Sequence, residues 1–581
     1  MTKRNGFIDA YENKDEVIVW SRDFNGKLIE DSFPVNNYLY CFIKANRKQS
    51  GVIPMVDIYG NEMKQVFFDT KWDLVNYRKS RKNLCESDVK VSNRVLLDEF
   101  SDCHMDTPLN TIFYDIEVEF DLSDGLGYPT PENPHGEINC IQFYDVKIGE
   151  YVMITLADEV EITDKYDNIP VNIIFCKTEM ELLRTFSDAI DHVDILLGWY
   201  TESYDIPYIM VRSIKLFGED RAMRMYCRNG LKGSKREFYD ENSTLKTSYT
   251  LVGRQNTDMM ESYKKFIPSE KKSFSLDAVC EEDLGMNKLD YEKDLGTLYR
   301  ENPKRFLEYA LHDVRLLKML NDKHKIVELM INMTRSSCVM CRDATGSVKL
   351  IEHDLLKFCH KKGIVLPDKK DNIKEKYEGA VVYDTVNGRH GWSGSVDLTS
   401  LYPKVMEMLG LSSETMLFQC IGEYEDYVHI MTRNDEFGEI EIENVLTLER
   451  TKVLPSDLYE LIKEEGWCIS GAGTIFNGEM GLLAQYVHEG FELRSEYRRL
   501  MEECFNKGDT NGGEMYDLYQ RVVKVARLNA VYGASGNENF VMYDIRLAKS
   551  ITLSAQIVSK QQAYAANKYI SESMEIIEGG A

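Results

Sequence analysis

Positive charge is in short supply in this 581-residue sequence: 70 Lys and Arg face 96 Asp and Glu, a net charge of −26. That deficit excludes tight non-specific binding to a polyanion through bulk charge, since phosphate affinity needs neutralising cations, although it leaves room for a local basic channel. No apolar run approaches the roughly 18 residues of a membrane span, and the opening "MTKRNGFIDAYENKDEV" has no apolar signal-peptide core. A cytoplasmic location is therefore expected. Organised cysteine is lacking too. The 13 Cys are scattered and odd in number, and Cys338 and Cys341 in "SSCVMCRD" have no second pair at zinc-site spacing. Reduced, mostly buried thiols are expected. Proline is sparse at 13 residues, and no repeat or low-complexity tract appears.

What is present is an ordinary globular composition, 43% hydrophobic and 29% charged, in a chain too long for one core. About three to five domains are expected. Residues 1–105 read as short strands with Asn-Gly and Tyr-Gly-Asn turn signals. From about 107 to 327, strand runs such as "NTIFYDIEVEF" and "VDILLGWY" alternate with helical patterns, which is α/β grammar around a central sheet. "PDKKDNIKEKY" reads as a surface linker, and a strand, a turn and a helix follow residue 393. Residues from about 480 to 534 read as two long helices joined by "NKGDTNGGEM", an antiparallel hairpin.

The chemistry-bearing residues are carboxylates. In "TIFYDIEVEF", Asp115 and Glu117 are two apart on a strand, so they share a face while Ile116 and Val118 take the other. Acids on a buried strand are costly unless they hold a cation. Asp205, before Ile-Pro-Tyr, reads by itself as a cap. In "ENPKRFLEYALHDVRLLKML", Asn302 and Pro303 make a good helix start, and Tyr309 and Asp313 are i and i+4, on one face. Each segment alone has a bland reading, as an amphipathic strand, a cap or a polar stripe. In this order, D-x-E, a lone Asp and Y-x-x-x-D can hold two hard divalent cations. Such ions, about 3.5–4 Å apart, serve phosphodiester hydrolysis, with Tyr309 orienting the attacking water. The pattern resembles the DEDDy 3′–5′ exonucleases.

A second constellation follows. "SVDLTSLYPKVM" places Asp397 at the end of an apolar run. Arg494 and Arg498 lie at i and i+4 on the first hairpin helix, and "QRVVKVARLNAVYGASGN" adds Lys524, Asn529, Tyr532 and Gly533. A cationic face over a metal-binding Asp suits a triphosphate, although most charge runs are simply solvated.

Together these motifs resemble the family B DNA polymerases, especially the replicative enzymes of large tailed bacteriophages, along nearly the whole chain. The likeness includes "ESDVKVSNRVLLDEF", "YKKFIPSEKKSFSLDAV", "LGMNKLDYE", "YEGAVV", "DLTSLYPK" and "LNAVYGASGN". It implies an α/β multidomain fold: an N-terminal mixed β domain at 1–106 with 328–370 returning to it, and an RNase H-like DEDDy exonuclease at 107–327. A palm at 371–479, two-helix fingers at 480–537 and an incomplete second palm part at 538–581 follow. Asp115, Glu117, Asp205 and Asp313 match the exonuclease metal ligands, Tyr309 the water-orienting partner and Lys288 a lysine near that site. Tyr377, Gly379 and Ala380 match a segment along the template. Asp397 matches the first polymerase metal ligand, joined by the Leu398 carbonyl. Backbone N–H groups around Ser400 and Leu401 are expected to hold phosphate oxygens, and the Tyr402 ring to exclude a 2′-OH. Arg494 and Arg498 match the triphosphate cations, and Asn529, Tyr532 and Gly533 the helix packing on the nascent pair. The implied cofactor is magnesium, two ions per site, with manganese as a substitute. The implied partners are a DNA primer–template, dNTP and a sliding clamp, with no membrane.

Three departures stand out. The family has Asn where this chain has Tyr200, and Phe where it has Tyr204. The family spacing K-x-x-x-N puts the fingers lysine at position 525, which is Val525; the lysine is Lys524, one helical step or about 100° away. Arg521 and Arg527 are the alternative cations. Finally, no D-x-D follows Asn537, so the second polymerase carboxylate and the thumb are absent from the sequence. A natural split, an intein-type split and a truncation all account for this. The natural split is favoured, with a second polymerase chain completing the palm. The rival readings are a stand-alone exonuclease, a generic RNase H-like nuclease and a non-catalytic DNA-binding scaffold.

Overall fold

The computed structural model describes residues 4–45, 55–120, 125–160, 165–239, 243–267, 270–289, 295–382, 388–389, 397–422 and 424–578. The strand read just after residue 393 lies outside them. The chain forms two compact units, one of residues 1–39 and 89–346, the other of 40–88 and 347–581. The first hundred residues thus contribute to both.

In the first unit a seven-stranded mixed sheet carries β1 (Thr111–Val118), β2 (Ile138–Asp145), β3 (Glu150–Thr155), β4 (Ile169–Phe175), β5 (Ile195–Gly198) and β6 (Gln255–Asp258). The order is a short strand at Lys165–Tyr166, then β4, β3, β2, β1, β5 and β6. β1 runs antiparallel to β2 and parallel to β5, so it is central and buried on both sides. Its β-branched and aromatic run suits that position, with Ile112, Tyr114, Ile116 and Val118 in the main core. Two helices bring the other acids to it. α1 (Asp205–Phe217) follows β5, and α2 (Pro303–His324) packs on β1 and β2. The helix start read in the sequence is realised: Pro303 opens α2 and the Asn302 side chain accepts from the Arg305 N–H at 3.1 Å.

In the second unit, α3 (Ser347–Lys361) precedes the loop around Asp397, and α4 (Leu401–Met408) follows it. A five-stranded antiparallel sheet spans residues 416–476. Then come α5 (Leu482–Asn506) and α6 (Thr510–Val522), a π-helical turn (Val523–Asn529), α7 (Ala530–Ser535) and α8 (Ile545–Glu578). α5 and α6 form the expected hairpin, closed by Gly508 at φ +75° and capped by Asp509. α8 lies close on the sheet because residue 471 is Gly: a Cβ there would fall 2.7 Å from the Leu553 carbonyl carbon. All 13 cysteines are unbridged, Cys338 and Cys341 among the buried ones.

One buried ion cluster ties strands of the first unit together. Asp194 takes Arg22 Nε at 2.5 Å and the Asn110 N–H at 2.8 Å, and also bonds Arg228. Asp194→Ala would strand two buried guanidinium groups, so a loss of about 3–5 kcal/mol is expected, read as a lower urea midpoint for this unit. Asp194→Asn, which keeps an acceptor, should fall between the two; an unchanged midpoint in Asp194→Ala would refute this role.

Candidate functional site

Strand alternation does put Asp115 and Glu117 on the face opposite Ile116 and Val118. The i, i+4 spacing on α2 puts Tyr309 and Asp313 over them. Carboxylate oxygens of Asp115, Glu117 and Asp313 lie within 4.8 Å of one another. Asp205, at the first position of α1, is outside that set but close enough for the Asp115 charge to act on it. Lys288 supplies the cation: its Nζ is 2.7 Å from Asp313 Oδ2 and 3.4 Å from the Tyr309 hydroxyl.

Burial of like charges dominates the electrostatics. Burial first, and Asp313 second, push Asp115 up to about 7. Glu117 is raised well above its usual value by burial and then by Asp115, and Asp205 by burial and then by Asp115. For Lys288, burial works against the charge, but Asp313 and Asp115 outweigh it and hold the ammonium protonated. The donor set fits a hard divalent cation. It is all carboxylate, and Asp313 Oδ1 is buried with no hydrogen-bond partner among the described residues.

The second unit gathers another set. Ser400, at φ +60°, precedes α4 and makes no capping bond through its own side chain. Asp397 is exposed in the loop before it. The Tyr402 ring stacks on Tyr532 at 4.3 Å and 24°. Tyr532 in turn hydrogen-bonds Tyr377, and the Gly379 carbonyl accepts from Gln556 Nε2 at 2.8 Å. Segments more than 150 residues apart in sequence thus meet at one platform. On α5, Arg494 and Arg498 are neighbours; burial and then the Arg498 charge lower Arg494, whose Nε donates to Gln520 Oε1 at 3.2 Å.

The sequence pattern of DNA polymerase family B matches residues 341–577, and that of the DNA polymerase family B exonuclease domain matches residues 67–279. Both matched segments, one in each half of the chain, carry patterns of DNA polymerase family B. It is 23% identical over 515 residues to the DNA-directed DNA polymerase of Escherichia phage RB69, covering 80% of this chain and 56% of that one. It is 24% identical over 512 residues to the DNA-directed DNA polymerase of Enterobacteria phage T4, covering 79% and 55%. DNA polymerase 1 of Sulfurisphaera ohwakuensis is 24% identical over 546 residues, covering 89% and 54%. The chain therefore spans about half the length of the curated relatives it matches.

The departures from the family now have local settings. Tyr200 sits at φ +67°, a left-handed conformation that Asn adopts more readily than Tyr, and its N–H donates to Asp258 at 3.1 Å. Tyr204 stacks on Tyr208 at 5.5 Å and donates to the Pro129 carbonyl. It also touches the ring of Tyr128, which is 55% exposed beside the acids. The one-residue offset of Lys524 coincides with the π turn. There each hydrogen bond spans five residues, so Lys524 and Asn529 align as residues four apart do in an α-helix. Lys524 is exposed, whereas Arg521 leans toward Asp517 at 4.0 Å and Arg527 turns inward to Asp354.

Sequence reasoning missed Gln142, whose Nε2 is 3.4 Å from Asp115 and 3.5 Å from Glu117. Only strand register puts it opposite Asp115, and no local spacing announces that.

The Asp115 shift sets a pH dependence. In the folded chain Asp115 keeps its proton up to about 7 against a usual 3.8, so its contribution to stability is lost as pH rises through that window. A divalent ion must displace that proton below the window's upper end, and need not above it. Manganese should therefore raise the melting temperature more at pH 8 than at pH 6. At a hundredfold excess over Kd the stabilisation is about 2.7 kcal/mol. Asp115→Asn should shrink the difference without abolishing it, because Glu117 and Asp205 are raised as well; equal rises at both pH values in the unmutated chain would contradict the assignment.

Proposed function

We propose that this chain is the proofreading and nucleotide-binding part of a replicative DNA polymerase. Its 3′–5′ exonuclease is intact, and polymerisation needs further carboxylates beside Asp397. The observation that carries the nuclease half is the convergence of Asp115, Glu117 and Asp313, with Tyr309 and Lys288 beside them. Asp115, Glu117, Asp205 and Asp313 would hold two magnesium ions. When bound, such ions polarise the scissile phosphate and lower the pKa of the attacking water. Tyr309 positions that water through its hydroxyl, and Lys288 offsets negative charge on the phosphate.

In the second unit, Asp397 and the Leu398 carbonyl would hold the first ion of a transfer site. The backbone N–H groups around Ser400 and Leu401 would receive phosphate oxygens, and Tyr402, backed by Tyr532, would lie under the sugar. Arg494, Arg498 and Lys524 would take the triphosphate, with Asn529 and Gly533 near the base pair. Exposure of Lys524 and its alignment with Asn529 support it over Arg521 and Arg527. Tyr377, Gly379 and Ala380 would track the template strand. A stand-alone nuclease has no use for this triphosphate face, and a scaffold has no reason to bury four acids together. A sliding clamp would supply the hold on DNA that a net charge of −26 does not.

The test is a 5′-labelled primer–template with magnesium, run with and without dNTPs. The chain alone should shorten the primer and leave it unextended, and Asp115→Ala should slow shortening at least about a hundredfold. Adding a polypeptide that carries the second palm carboxylates should restore extension, which Asp397→Ala should abolish. Extension by the chain alone would overturn the reading of polymerisation, and no shortening would overturn that of the nuclease.

A further inference from the structure

The π turn is unusual enough to need a cause, because an α-helical path through the same residues is the common outcome. Both flanks are anchored. α6 is held to α5 by the Arg494–Gln520 bond and by Tyr516 and Tyr519 packing on Tyr497. α7 is held by Tyr532 on Tyr402. Between them, one side chain inside the turn is seated against two other helices. The Arg527 guanidinium lies 4.0 Å from the Tyr486 ring on α5 and 5.1 Å from the Phe358 ring on α3. Its Nε is 3.9 Å from Asp354 Oδ2, and the same oxygen accepts from the Tyr486 hydroxyl at 2.5 Å. The slot exists because residue 490, one turn beyond Tyr486, is Gly. A Cβ there would stand 2.9 Å from Leu528 Cδ2 and 3.1 Å from Arg527 Cδ. An Arg with 13% of its side chain exposed, stacked on aromatic rings and facing a carboxylate, fixes the rotational setting of its own helix.

We propose that Arg527 is a positioning residue for nucleotide binding. Seated on Tyr486, Phe358 and Asp354, it holds Val523–Asn529 in the π form and so keeps Lys524 on the face of Asn529. If the turn relaxed to an α-helix, Lys524 would rotate by about 100° away from that face. The proposal rests on the reading of Lys524 as a triphosphate cation.

The test measures dATP binding to the full chain in calcium by calorimetry, with circular dichroism melts to verify folding. Lys524→Ala and Arg527→Met should each weaken binding about tenfold, the loss of one charge-assisted contact. Deleting Val525 restores the four-residue spacing, so in the Arg527→Met background it should recover most of the lost affinity. A purely structural role for Arg527 would not be rescued in that way. Gly490→Ala crowds the Arg527 stem without removing a charge, and should weaken binding in the same direction even if Arg527→Met fails to fold. Unchanged binding in Lys524→Ala would sink the triphosphate reading itself. Weakening in Lys524→Ala with none in Arg527→Met or Gly490→Ala, or no rescue by the deletion, would overturn the role of Arg527 alone.

Discussion

The cost of burying like charges governs the first unit. Asp115, Glu117, Asp205 and Asp313 are brought together where burial raises three of them and their mutual repulsion adds to it. Such a site exists only if the scaffold is stiff enough to impose it. Here the stiffness comes from a strand buried on both sides and a long helix packed across it. Lys288 and Gln142 moderate the repulsion without removing it, which leaves oxygen ligands with residual demand for a hard cation.

The second unit handles charge in the opposite way. Its Asp397, Arg498 and Lys524 are exposed, and the order around them comes from rings and backbone. Tyr402, Tyr532 and Tyr377 join three segments, and Ser400 in a left-handed conformation leads into α4. Exposed charges cost little to maintain and remain free to take a polyanionic ligand. On the proposed function, the contrast follows from the ligands. A hard cation needs several anionic ligands drawn into a dry cluster, whereas a triphosphate brings its own charge to a surface that needs only direction.

The π turn shows how a one-residue difference in spacing can be absorbed. Read as a regular helix, the sequence turns Lys524 away from Asn529; the wider hydrogen-bond span removes that displacement at the cost of a less favourable helical form. The side chain that anchors the turn, Arg527, occupies a position that the K-x-x-x-N spacing leaves unspecified.

Local periodicity carried much of this protein. The D-x-E alternation, the Y-x-x-x-D face, the Asn302–Pro303 helix start and the α5–α6 hairpin all depend on residues within one or two turns of each other. Their geometry is therefore written in spacing alone. The family resemblance was legible for a similar reason, since several short motifs in a fixed order are far more specific than any one of them. Tertiary structure alone decided the rest. The place of Gln142 beside the acids depends on strand register across 27 residues. The meeting of Tyr377, Tyr402 and Tyr532 depends on how three segments pack, and the seat of Arg527 on a gap at Gly490. Contribution of residues 40–88 to a different unit from residues 1–39 likewise has no local signature. Spacing along a chain encodes direction within one element; which elements face each other is settled only when their buried surfaces compete for partners.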